Sequence, residues 1–265
     1  MSKKLYSRFL KPLFIILIFF PLLTIFVWSF IERWEWPSLV PTVFSNRAMN
    51  VIFRNKQDFF KLIGSGILIS GMVALLSVIT STMAARAFVF YEVKYKNLIN
   101  FLSLLPFMVP ATVFGMGIQS IFIKWGLNNS ILGVVIAHLI YSQPYAFQLM
   151  LAGTESIGRT YEELARSLGA NAWQAFYKIS LPMLMPVILA SASMAFVVSF
   201  GQYFLTLIVG GGQVKTFAIV MVPYIQSGER NIAAIYSLFF LIILFIINHL
   251  LNYVGKKVEE KIYKG

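Results

Sequence analysis

The stretch Leu62–Phe88 reads LIGSGILISGMVALLSVITSTMAARAF, and no charged residue falls between Leu62 and Ala85. A bilayer core is crossed by roughly 20 predominantly apolar helical residues, so this stretch is long enough to span one. Within it Gly66, Ser70, Ala74, Ser77, Ser81 and Ala85 follow at spacings of 4, 4, 3, 4 and 4 residues. That spacing puts all six on one helix face. Small residues let helix backbones approach closely in a membrane, so the stripe predicts a packing face, not a chemical one.

The rest of the chain has the same character. Of its 265 residues 58% are hydrophobic and 12% charged, with mean hydropathy +0.78. An ordinary soluble domain is about 45–50% apolar and about 25% charged. Too few charges remain to cover so much apolar surface with water, and a bilayer removes that requirement. The aromatic share of 16% suits lipid contact and interfacial anchoring. The net charge is +12, but the basic residues flank apolar runs instead of forming a stripe on a polar helix. This argues against nucleic acid as a partner and for anionic membrane lipid. Cysteine is absent, which excludes a disulfide framework, a thiolate metal site and a cysteine nucleophile.

Five further runs have spanning length: Pro12–Ile31, Phe101–Ile123, Ile131–Ala152, Met183–Val209 and Ala233–Val254. The first lacks a small-residue cleavage site and is too long for a signal-peptide core. The expected fold is therefore all-α, a polytopic transmembrane helical bundle with six transmembrane helices. Placing both termini in the cytoplasm puts 14 of the 22 basic residues inside and 8 outside, as the positive-inside rule favours. The first external loop, Glu32 to Lys61, contains Trp34 and Trp36, which read as headgroup anchors. Three parts are expected: residues 1–61, an N-terminal helix and external loop; 62–254, the membrane core; and 255–265, a basic cytoplasmic tail.

One segment does not belong in lipid. Residues 153–182 read GTESIGRTYEELARSLGANAWQAFYKISLP. Thr160 with Glu163 has capping-box spacing, and Tyr161, Leu164, Ala165 and Leu168 give an apolar face at i, i+3, i+4 and i+7. Glu162 and Arg166 are placed to pair across one helical turn. Gly169 lies where a left-handed residue would end the helix. Asn171 with Gln174 repeats the capping box, Trp173, Phe176 and Tyr177 give a second apolar face, and Ser180-Leu181-Pro182 is expected to stop that helix. Two capped helices joined by a glycine turn, with large apolar residues outside the membrane, call for a partner protein or a lipid surface.

Glu163-Leu164-Ala165, Gly169 and Ile179-Ser180-Leu181-Pro182 resemble the EAA loop of type I ABC importer permeases. That pattern is Glu-Ala-Ala, three residues, Gly, nine residues, Ile, one residue, Leu-Pro. The spacing matches throughout, and the one departure, Leu164 for alanine, keeps the apolar face. The resemblance covers roughly residues 62–254 and implies a coupling helix that fits a cleft on a cytoplasmic ATP-binding subunit. Glu163, Leu164, Ala165, Leu168, Gly169, Trp173, Phe176, Ile179, Leu181 and Pro182 are the docking residues it implies. It also implies a second permease subunit, two ATP-binding subunits that hold ATP and magnesium, and an external solute-binding protein in a bacterial plasma membrane. No cofactor is expected on this chain itself.

No chemistry of the chain's own is legible. It has no Gly-x-x-x-x-Gly-Lys-Ser/Thr phosphate loop, and its two histidines, His138 and His249, have no metal-spaced partners. No catalytic triad or intraspan acidic pair appears, so it reads as a transport subunit and not an enzyme. Polar residues within spans line a path or bond between helices. Gln143, Gln202 and Tyr203 are the path candidates, with Gly201 positioned to loosen the helix, and Pro106 and Pro110 predict a kink. The region from Ser199 to Asn231 is similar to the spermidine and putrescine branch of the family, with iron(III), thiamine and aminoethylphosphonate permeases as neighbours. A self-sufficient secondary transporter, the rival reading, would need inverted repeats around a buried ionisable residue; neither is visible.

The orientation is testable. Reporter fusions after Lys96 and Lys257 should report the cytoplasm, and fusions at Asn46 and Gln213 the exterior. A cytoplasmic signal from Asn46 would invert the assignment.

Overall fold

A computed structural model describes residues 2–34 and 37–263; Trp36 lies outside the described residues. α3 (Lys56–Phe90), α6 (Ile131–Ile157) and α12 (Arg230–Tyr263) are unbroken helices of spanning length. A fourth long helix runs from Ala172 to Phe200. α4 (Lys96–Met108) and α5 (Ala111–Lys124) meet at a bend of 109°. Among the described residues four helices are therefore long and apolar enough to cross a membrane, or five if the bent pair is one span. The first expected run lies in α1 (Ser2–Trp28), which includes the apolar segment Ile16–Trp28.

Two expected spans are not continuous. Pro110 forces the residue before it out of helical geometry, and Val109 accordingly sits at φ −95°, ψ 132°. The anticipated kink is thus a complete break, while Pro106 stays within α4. The fifth span, expected to reach Val209, stops with α9 (Leu181–Phe200); Gly201, Gln202 and Tyr203 are not helical, and α10 (Phe204–Gly210) follows. The fold is also not purely helical. β1 (Ile31–Arg33) pairs antiparallel with β2 (Val43–Phe44), so Ile31 leaves the helix in which the first run had placed it.

The chain forms two compact units, residues up to Lys61 with Val220–Ile243, and Leu62–Ile219 with Leu244 onward. In the first, α2 (Arg47–Arg54) and the end of α1 are pinned by Asn231, which is 3% exposed. Its Oδ1 accepts from the Ala48 amide (3.0 Å), and its Nδ2 donates to the Ser29 carbonyl (3.0 Å). The Trp34 ring lies 5.4 Å from that of Trp28, tilted by 36°, and Trp34 Nε1 donates to the Ser38 carbonyl. The Arg230 guanidinium sits 5.0 Å from the Trp28 ring centroid.

In the second unit the small-residue stripe of α3 is the buried face. Ser70, Ser77, Ser81, Ala74 and Ala85 are all buried, and a Cβ on Gly66 would lie 2.9 Å from the Phe200 ring. Ser77 and Ser142 hydroxyls meet at 3.1 Å. Ile69, Val73, Ile118, Phe122, Val134 and Val209 form one apolar cluster; Ala85, Phe88, Phe147, Met150 and Leu184 form another. α11 (Phe217–Gln226) begins at the fully buried Phe217.

α6 and α9 pack so closely that a Cβ on Gly153 would lie 2.6 Å from Val187 Cγ1. Gly153→Ala should therefore lower thermal stability in detergent, by about 1–3 kcal/mol as for overpacked cores. Adding Val187→Ala should recover most of the loss. Equal melting of the single and double variants would show that this contact does not set the α6–α9 spacing.

Candidate functional site

The segment between α6 and α9 is built from short pieces. α6 ends at Gly158 (φ +68°), α7 (Thr160–Ser167) follows, and Gly169 (φ +94°) turns the chain into α8 (Ala172–Ala175). The turn is a full Schellman motif. The Ala170 amide donates to the Ala165 carbonyl (3.1 Å), and the Gly169 amide donates to the Arg166 carbonyl (3.0 Å). α8 opens on the expected capping box. The Gln174 amide donates to Asn171 Oδ1 (2.8 Å) and the Asn171 amide to Gln174 Oε1 (3.0 Å).

Three local expectations need correction. Thr160 does not cap α7: Arg159 occupies the cap, no side chain bonds the free amides, and the Glu163 carboxylate faces Arg159 at 3.4 Å instead. Glu162 pairs with Arg86 of α3 and not with Arg166. The second helix does not stop before Pro182. Leu181 is helical, and Phe176–Ser180 forms a π-helical turn that runs directly into α9. The wider turn replaces the hydrogen bond geometry that a proline ring would obstruct one α-helical turn back, so the chain passes Pro182 without ending.

The apolar side chains divide into two sets. Tyr161, Leu164, Leu168, Trp173 and Tyr177 are exposed, Leu168 at 82% and Trp173 at 70%. Trp173 and Tyr177 stack at 6.0 Å. Glu163 and Gly169 are also exposed, whereas Ala165, Ile179, Leu181 and Pro182 are half-buried. Phe176, expected on the outer face, is half-buried because it turns toward Arg86, whose guanidinium lies 4.6 Å from its ring centroid. The docking residues implied by the sequence thus form one exposed apolar surface around the Gly169 turn and an inner row that packs toward the spans.

Sequence reasoning missed the centre of that inner row. Arg86 Nη1 and Nη2 donate to Glu162 Oε1 (2.5 Å) and Oε2 (3.1 Å), and the Ser180 hydroxyl donates to the same Oε1. The guanidinium is flanked by Phe90 at 5.0 Å as well as Phe176, a cation–π arrangement. Arg159 Nη1 donates to the Phe90 carbonyl (3.4 Å) at the end of α3. Desolvation alone would raise the Glu162 pKa. Hydrogen bonds from Arg86 and Ser180, with the charges of Arg86 and Arg159, outweigh it and hold the carboxyl below its usual range. The only signal in the sequence was that Arg86 is the first charge after a long apolar run.

The second region of interest is the break after α9. At this break the Gly201 amide donates to the Val197 carbonyl, the Gln202 amide to the Ser199 carbonyl, and the Leu207 amide to the Tyr203 carbonyl. His138, 1% exposed, bridges it. The Thr206 hydroxyl donates to the Gln202 carbonyl (2.6 Å), so it accepts from His138 Nε2–H (2.9 Å); Nδ1 and the Ser199 hydroxyl share a second bond (2.9 Å). His138 therefore ties the two helix ends together through both ring nitrogens. Gln202 and Tyr203 are half-buried in the break itself. Gln143 is not beside them: its Nε2 donates to Ser81 Oγ (3.0 Å) and its Oε1 accepts from Thr80 (3.0 Å), so both ends of its amide join α6 to α3. Among the described residues no cluster of three or more His, Cys, Asp or Glu is placed to hold a metal ion.

Known proteins share this architecture. The chain is 24% identical over 252 residues, 94% of its length and 93% of the other's, to Salmonella typhimurium PhnV, assigned as a 2-aminoethylphosphonate transport system permease protein. It is 28% identical to the Escherichia coli sulfate transport system permease protein CysT, over 63% of this chain and 68% of that one. It is 24% identical to the Escherichia coli putrescine transport system permease protein PotI, over 63% and 62%. A chain from a bacterial ABC transporter that imports the acidic polysaccharide alginate superposes with TM-score 0.71 at 16% identity, over 94% of this chain and 95% of that one. In a related crystal structure, where that transporter is bound to its periplasmic protein, the TM-score is 0.67 at 16% identity, over 96% and 94%. Residues 77–262 match the family described as the binding-protein-dependent transport system inner membrane component. The chain belongs to that family and is a multi-pass transmembrane permease subunit of the ABC transport type.

Proposed function

We propose that this chain is one half of the membrane channel of a bacterial plasma-membrane importer, with six spans and both termini in the cytoplasm. It pairs with a second permease subunit, homologous or identical. Two ATP-binding subunits, which hold ATP and magnesium, dock on the α7–α8 surface, and an external solute-binding protein delivers cargo. ATP binding closes the ATPase pair, displaces the coupling surfaces and switches the permease pair from inward-facing to outward-facing. The observation that carries this reading is the exposed apolar surface around Gly169, whose second helix, α8, runs through the π-helical turn directly into α9. An exposed apolar patch with fixed geometry is what a cleft on a partner protein would cover.

Cargo passes the break between α9 and α10. Irregular backbone at membrane depth is tolerated where it lines a cavity or is buried in protein, and Gln202 and Tyr203 sit there. Both are neutral hydrogen-bonding groups. That fits a scaffold whose relatives are named for a phosphonate, an inorganic anion and a diamine, with charge selection made by the solute-binding protein. The polyamine branch suggested by residues 199–231 is one cargo class among these.

The coupling surface is tested at Gly169. A Cβ there would meet nothing within 4 Å, so the cost of substitution is conformational alone. At φ +94° a β-branched residue is strained by about 1–3 kcal/mol, or the turn opens. Gly169→Val should insert normally yet lose co-purification of the ATPase and lose ATP-driven uptake; Gly169→Asn should be milder, since Asn tolerates the left-handed region. Normal ATPase retention and uptake in Gly169→Val would reject docking at this surface.

The path is tested separately. Cysteines at Gln202 and Tyr203, in a chain with none of its own, should react with water-soluble thiol reagents in at least one nucleotide state. Protection of both sites in every state would place the path elsewhere.

A further inference from the structure

α7 stands between two glycine turns, Gly158 at φ +68° and Gly169 at φ +94°. Eight residues long, it is joined to its neighbours in the chain through these two turns, about which it can pivot. Covalent continuity carries a displacement of α8 through the π-helical turn into α9. Nothing in the covalent path carries a displacement of α7 into α3, whose far end lies 70 residues earlier in the chain at Phe90. The link between them is the cluster around Arg86.

We propose that Arg86 is a positioning residue that locks α7 to the end of α3, so that a push on the coupling surface enters the membrane through α3 as well as α9. This rests on the coupling role proposed above and adds the route the movement takes. Three observations support it. The Arg86–Glu162 contact is two-pronged, and the side chains are only 21% and 12% exposed. Fork-to-fork geometry fixes relative orientation as well as distance. The Ser180 hydroxyl joins the same carboxylate from the start of α9, so three segments meet at one group. The guanidinium is held between Phe90 of α3 and Phe176 of the π-helical turn, which keeps it in the fork orientation. The lowered pKa of Glu162 means the link is complete above the ordinary carboxylate range and is lost only as pH falls through the lowered value. The lock therefore does not respond to mild acidification.

The experiment places spin labels at Met83→Cys on α3 and Ser167→Cys on α7, both exposed positions, in lipid nanodiscs. The distance distribution is read first for this chain without nucleotide, then for the complex purified with its ATPase, nucleotide-free and trapped with ATP and vanadate. A rigid link predicts one narrow distance, the same in every state. Arg86→Ala should broaden it, Glu162→Gln should broaden it while keeping side-chain shape, Arg86→Lys should give an intermediate width, and Arg86→Glu combined with Glu162→Arg should narrow it again. ATP hydrolysis by the Arg86→Ala complex should continue while vanadate trapping no longer changes thiol reactivity on the membrane part of α3. Unchanged width in both Arg86→Ala and Glu162→Gln, or a parent distance that shifts between nucleotide states, would overturn the lock. A parent chain that retains no ATPase would overturn the coupling reading instead, and the nucleotide-free distances would still decide whether α3 and α7 move as one.

Discussion

A peptide group in hydrocarbon has no water to bond with, and where the apolar runs of this chain depart from a plain helix they answer to that constraint. Where Pro110 removes a donor and turns Val109 out of helical geometry, the chain makes a sharp bend between α4 and α5. Where α9 ends at Gly201, the loosened carbonyl of Gln202 takes the Thr206 hydroxyl, and Thr206 is in turn held by His138. Polar side chains in the spans have the same accounting. Gln143 is matched at both ends of its amide by Thr80 and Ser81, Gln119 by the Ile208 carbonyl, and Gln148 by Asn100. The bonds of Gln143 need close approach of α6 to α3, and the small-residue face of α3 permits it.

That division explains what could be read from the sequence. The spans and the stripe from Gly66 to Ala85 are periodic, and periodicity is local information. Gly169 and the Asn171–Gln174 box were legible for the same reason, since a Schellman turn and a capping box close within six residues. Several failures involve partners distant in sequence or a choice between two local bonds. Glu162 has Arg166 one turn away, yet it folds inward to Arg86, 76 residues earlier, because a buried two-pronged contact exceeds an exposed pair across one turn. Thr160 has the spacing of a cap, but Glu163 turns back to Arg159. Pro182 looks like a stop because a sequence does not announce a π-helical turn. The β1–β2 pair is too short to show alternation. Gln143 and Gln202 look alike as polar residues in apolar runs, and only the packing separates one bonded between helices from one in a break.

The junction of α3, α7 and α9 differs from a surface ion pair in a way that matters for mechanism. Exposed pairs contribute about 0–1 kcal/mol and do not hold geometry. Here the guanidinium is flanked by two rings, the carboxylate has a third donor, and a second arginine, Arg159, reaches the Phe90 carbonyl. A positive group at the last carbonyls of α3 is also favoured by the helix dipole. Removing one partner would leave the other charge half-desolvated, so the junction is costly to open and suited to move as a unit. The flexible points lie on either side of α7, at Gly158 and Gly169, and not within the junction.

The exposed face of α7 and α8 can be weighed against the alternative of lying on the membrane surface. A helix at a lipid interface sets its apolar side in one plane and lines its polar side with Lys and Arg, which meet anionic headgroups. α7 instead has Glu162 and Glu163 in its first turn, with Arg166 its only basic residue. Tyr161, Leu164 and Leu168 stand on one helix and Trp173 and Tyr177 on the next, and the Schellman turn at Gly169 sets the two apart in direction. Leu168 and Trp173, the most exposed of the five, flank the turn itself. Apolar groups gathered at the corner between two helices make a convex knob, which complements a concave protein cleft better than a flat bilayer. The acidic first turn, with Glu163 more than half exposed, is the reverse of the basic face that an anionic lipid surface attracts.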